Sequence, residues 1–126
     1  MASIAWRAQA RNTLESAGYE VRLAENGAHA WKALESAYFD VLVLDAGSDG
    51  GFELLDCVRT NSALSDLPVI WGGVSEDPSE REAALTAGAT DYVWMCDRNA
   101  GRQLLDRIDR QLRGGGAAGR ISPAGP

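Results

Sequence analysis

Cysteine is scarce in this sequence of 126 residues: Cys57 and Cys96 are far apart and show no metal-ligand spacing. That absence of a thiol framework points to free, reduced thiols and a cytoplasmic chain. His29 is the only histidine; it lies on a helix face otherwise turned to solvent and reads as a solvated side chain. No nucleophile is paired with it, and no strand is followed by a glycine-rich phosphate fingerprint or a P-loop, which argues against an unrelated small α/β enzyme. Positive charge is also short, with twelve basic against eighteen acidic residues and a net charge of −6. The bases are scattered except on the last helix, so the electrostatic footprint of a nucleic-acid binder is missing. No apolar run approaches membrane-spanning length, and the amino terminus lacks the basic-then-apolar pattern of a signal peptide.

What is present is organised around Phe39–Phe52, FDVLVLDAGSDGGF. Val41, Leu42, Val43 and Leu44 form an unbroken apolar run that suits a parallel strand buried on both faces. Asp45 ends the run, at the edge where open α/β sheets place their chemistry. Around it the sequence predicts a helix over Ile4–Ala17, capped by Ser3 and packed through Trp6, Ala10, Leu14 and Ala17, then a strand over Tyr19–Ala24. A helix capped by Asn26 follows over Gly27–Ala37, with Ala30, Trp31 and Leu34 inward. A third helix covers Gly51–Asn61, with Phe52, Leu54, Leu55 and Val58 apolar and Arg59 at its dipole-favoured end. Pro68–Trp71 is the next buried strand, closed by Gly72 and Gly73. Asp77-Pro78-Ser79-Glu80 starts a helix to Ala87, with the acids up to Glu82 read as a solvated helix start. Tyr92–Met95 is a last strand, and Asn99–Leu112 a last helix with Leu104, Leu105, Ile108 and Leu112 at helical spacing. The alternation of strands and helices implies a parallel sheet sandwiched by helices. Residues 1–113 make one domain, and 114–126, rich in Gly, Ala and Pro, read as a flexible tail.

Leu14–Val21, Ala24–Gly27, Asp40–Asp45, Gly51–Leu54, Leu67–Ile70 and Gly88–Val93, in that order, resemble a response-regulator receiver domain of the CheY-like superfamily. The likeness covers about residues 4–113. It implies a flavodoxin-like α/β fold and a signalling module of a two-component (phosphorelay) system, not an enzyme. In that family one aspartate accepts a phosphoryl group beside a magnesium ion held partly by two acids after the first strand. A hydroxyl residue and a lysine, at the ends of the fourth and fifth strands, bind the phosphoryl oxygens, supplying donors and cation where charge develops.

By position the resemblance makes Asp45 the phosphoacceptor and the one acid left to touch a metal. Gly73 falls where the hydroxyl residue belongs, Met95 where the lysine belongs, and Cys96 where a proline is usual. A thioether cannot give the charge-assisted contact of an ammonium, and nothing in the spacing of Asp49 or Asp97 recommends them as substitutes. Tyr92 stands at the family's rotating aromatic switch, read either as that switch or as a fixed packing residue. Trp71 and Trp94 read as filling the volume of a lost site. Cys96 has no activating neighbour, since Asp97 has the wrong sign.

The resemblance therefore implies a degenerate pseudo-receiver that works by protein–protein contact, with no cofactor. The alternative is a phosphorylatable receiver that takes Mg²⁺ at Asp45, its first strand lying upstream of this chain. The partner surface is the 99–113 helix, whose Arg102, Arg107, Arg110 and Arg113 alternate with Asp106 and Asp109; the same face read plainly is a solvated exterior. The family's first strand, with its acidic pair, is absent from the sequence. Its neighbours Glu20–Ala24 and Val41–Asp45 are then expected to pair directly, to borrow a strand from a second copy as a swap or homodimer, or to leave an open edge.

Overall fold

The computed structural model describes residues 2–24, 26–45, 51–73, 77–112 and 120–124, with side chains described between residues 8 and 112 of those ranges. Helix α1 spans Ala2–Ser16, so Ser3 lies inside the first turn instead of capping it. The strand expected over Tyr19–Ala24 is shorter: β1 is Glu20–Val21, with Ala24 in an isolated bridge. Helix α2, Gly27–Ser36, is capped as expected, the Asn26 side chain accepting from the backbone N–H of His29. Strand β2, Val41–Asp45, is buried at all five positions, as its unbroken apolar run requires.

Helix α3 spans Gly51–Thr60 and β3 spans Val69–Gly73; the two glycines belong to the strand. Helix α4, Pro78–Ala87, begins at an Asp77 cap with proline in its first turn. It ends at Gly88 with φ of 119°, a left-handed cap that suits glycine. Strand β4 is Asp91–Trp94, leaving Met95 in the following turn, and α5 is Ala100–Leu112.

The expectation of a flexible tail is corrected at its far end. Arg120–Ala124 forms a fifth strand, β5, and it lies inside the sheet. The strand order is β1-β5-β2-β3-β4, with every pair parallel. Direct pairing of β1 with β2 and an open edge are thereby both replaced: β5 pairs with β2 from Val41↔Ile121 to Leu44↔Ala124 and with β1 through Glu20↔Arg120 and Val21↔Ile121. An interior slot between two strands satisfies backbone N–H and C=O groups that would otherwise stand bare. Proline is unusual inside a sheet because it has no N–H. Here Pro123 comes two residues beyond Val21↔Ile121, the last register pair of β1 with β5, and stands opposite Val43 of β2.

Two apolar layers sandwich the sheet. On one face α2, α3 and α4 bring Ala30, Leu34, Leu54, Leu55, Val58 and Ala84 onto Leu42, Leu44, Val69 and Trp71. On the other, α1 and α5 bring Ala10, Leu14, Leu104 and Ile108 onto Val41, Val43, Ile70 and Val93. The chain moves outward from β2 to β4 with helices on the first face and returns through α5 on the second. Reversing direction and face together keeps one crossover hand throughout.

Candidate functional site

Because β2, β3 and β4 run parallel in register, their carboxyl ends line one rim. Asp45 pairs with Gly72, and Gly73 with Trp94. Met95 follows immediately, its backbone N–H donating to the carbonyl of Gly73 at 2.8 Å. Topology therefore brings together Asp45, Gly73, Tyr92, Met95 and the start of the Cys96 turn. The Asp45 side chain is fully buried, the one acid in the core among the described residues. Met95 is buried as well, whereas the Cys96 thiol is exposed and outside the rim's interior.

At Gly73 the fit is steric. A Cβ built there would meet the Tyr92 hydroxyl oxygen at 2.0 Å and the ring at 2.3 Å. The phenol thus lies in the volume that any side chain at position 73 would need. It is held there by a bond donated to Glu80 Oε1 of α4, at 3.1 Å, and by packing against the α2–α4 apolar layer. The sequence names both residues, but only the fold shows that one takes the other's space. Trp71, behind the rim, is 2 % exposed and stacks on Phe52 with ring centroids 4.6 Å apart. Phe52, apolar as it is, is 48 % exposed and covers Trp71 from outside.

Among the described residues the donor set does not fit a magnesium ion. Mg²⁺ takes hard oxygen ligands in an octahedron, and the described rim offers Asp45 beside a glycine and a thioether. Strand β5 fills the central position without bringing an acid to it, its residues being Arg120, Ile121, Ser122, Pro123 and Ala124. Among the described residues no three His, Cys, Asp or Glu side chains converge as metal ligands. Asp97 is used otherwise: its Oδ1 accepts from the Asn99 N–H at 2.7 Å, ahead of α5. Asp49 and Arg113 lie outside the described residues, as does the side chain of Trp6.

Between α4 and α5, over the outer edge of β4, Pro78, Arg81, Tyr92, Trp94, Gln103 and Arg107 line a cleft of about 320 Å³. Arg107 is paired with Asp91 at 3.3 Å, while Arg102 and Arg110 are exposed. Tyr92 thus forms part of this cleft's wall as well as lying against Gly73.

The family profile of the response regulator receiver domain matches residues 3–110. The chain belongs to the response-regulator receiver family. The receiver is 33% identical over 102 residues to the transcriptional regulatory protein GltR of Pseudomonas aeruginosa, covering 79% of this chain and 41% of that protein. It is 37% identical over 87 residues to the response regulator MprA of Mycobacterium ulcerans, covering 69% of this chain and 38% of that one. The receiver thus spans less than half the length of these relatives. Among solved structures it is similar to the chemotaxis response regulator CheY4 of Vibrio cholerae, with a TM-score of 0.78, 29% identity, and coverage of 88% and 92% of the two chains. The flavodoxin-like order second-first-third-fourth-fifth is reproduced here with β5 standing where a first strand would be. Receivers are signalling modules of two-component systems, and no helix among the described residues is long and apolar enough to cross a membrane.

Proposed function

We propose that this receiver is a pseudo-receiver: a partner-binding module of a two-component pathway that works without efficient phosphorylation of Asp45. The observation that carries the reading is the Tyr92 phenol seated over Gly73. A phosphoryl group on Asp45 would find no hydroxyl at 73 and no ammonium at 95 to receive its oxygens, and transfer depends on such donors. With the aromatic already inward, little is left for phosphorylation to switch. The surface presented to a partner is the cleft between α4 and α5 with the exposed arginines of α5, which favours an acidic or aromatic protein segment over nucleic acid for a chain of net charge −6. This reading keeps the chain in the cytoplasm, where Cys57 and Cys96 stay reduced.

Incubation with acetyl phosphate and Mg²⁺, followed by intact-mass measurement, should show no phosphate adduct, and Asp45→Ala should bind a partner as the parent does. An acid-labile adduct on Asp45 that changes partner binding overturns the reading. It would favour the second one, a phosphoacceptor whose first strand lies upstream of Met1. What speaks for that second reading is Asp45 itself, buried at the carboxyl end of a central strand in the acceptor's position. It requires an acidic doublet encoded just before Met1 and a strand able to displace β5.

A further inference from the structure

We infer that the slot between β1 and β2 is a strand-exchange interface, filled by Arg120–Ala124 of a second copy of this chain as well as by the chain's own. The resident strand is the least suited of the five to an interior position. Two of its five residues are Ser122 and Pro123, poor strand formers, and Pro123 can donate no ladder bond. A strand made of poor strand formers opens more often than one made of apolar, β-branched residues. It is joined to α5 by residues 113–119, four of which are glycine and two alanine. Fully extended, that connection spans up to about 28 Å, enough to serve a slot in its own molecule or in a neighbour.

When β5 leaves, the inner edge of β2 loses its partner along the whole run Val41–Leu44, and β1 loses its link to the sheet. A bare apolar edge is a template for another strand. The strand that restores the same register is the identical one from a second copy, and reciprocal exchange closes as a two-fold dimer with no new contact required. The chain's own strand has only the advantage of its tether, an effective concentration on the order of mM. Exchange therefore becomes appreciable as protein concentration approaches that range.

The test mixes two full-length versions differing in tag mass at about 0.1 mM and about 1 mM, read by native mass spectrometry and light scattering. The expected result is a dimer fraction that rises with concentration and contains mixed dimers. Ser122→Val strengthens β5 equally in both states, so it should leave the dimer fraction unchanged and slow mixing by about fivefold. Deleting Gly114–Gly116 shortens the tether and should raise the dimer fraction. A monomer at every concentration, mixing unaffected by Ser122→Val, or a dimer fraction indifferent to the deletion would each overturn the inference.

Discussion

At residue scale, Gly73 and Tyr92 act as one unit. Gly73→Thr places a Cβ where the phenol oxygen now stands, so the ring must leave its bond to Glu80. The expected cost is about 1–3 kcal/mol, as for other overpacked sites, read from urea unfolding. Tyr92→Ala in the same chain should recover part of it. Arg59 is a second case, and its weight comes from contacts distant in sequence. Its guanidinium donates to the carbonyls of Gly88 at 2.8 Å, Leu67 at 2.7 Å and Ser65 at 3.1 Å, and to Thr90 Oγ1 at 3.3 Å. Burial lowers its pKa from the usual arginine value, with Asp66 opposing the shift. A lysine cannot reproduce that fork. Arg59→Lys is expected to lose about 2 kcal/mol through carbonyls left without a donor, seen as a lower urea midpoint at unchanged slope.

At element scale, the end of α1 is tied to α5 by the Tyr19 hydroxyl, which donates to Asp109 Oδ1. Burial, then that hydrogen bond and the Asp109 charge, push the tyrosine up to about 12 from 10.0. The neutral phenol is the form the fold favours, so this contribution is complete below pH 10 and is lost as pH rises towards 12. Tyr19→Phe should flatten the fall in thermal stability across that alkaline window, measured by circular dichroism. The strands differ in how plainly the sequence announces them. Val41–Asp45 and Val69–Trp71 are legible because burial on both faces demands apolar runs, and Asp45 is legible as the residue that stops one. Arg120–Ala124 carries no such run; its pairing with β1 and β2 joins residues far apart in sequence, which no local pattern encodes. Phe52 shows the same limit: it lies off the buried Gly51, Leu54, Leu55 and Val58 face of α3, and its partner Trp71 is found only in the fold.

At the scale of the whole molecule, the two apolar layers do not protect the sheet evenly. β2 and β3 are buried at every position between both layers, whereas β1 contributes two residues at the edge. Amide hydrogen exchange should therefore be slowest in Val41–Leu44 and Val69–Trp71 and fastest in Glu20–Val21 and Arg120–Ala124. Comparable protection in β1 and β3 would show a more cooperative sheet than this architecture implies.

The register Glu20↔Arg120 joins positions a hundred residues apart. A ribosome delivers the earlier one long before the later one, so the outer strand must wait, unmatched, while nearly everything between them is made. Closing so wide a circuit comes late and is entropically dear. Nascent chains of this protein should thus carry an unfinished sheet until Arg120–Ala124 emerges.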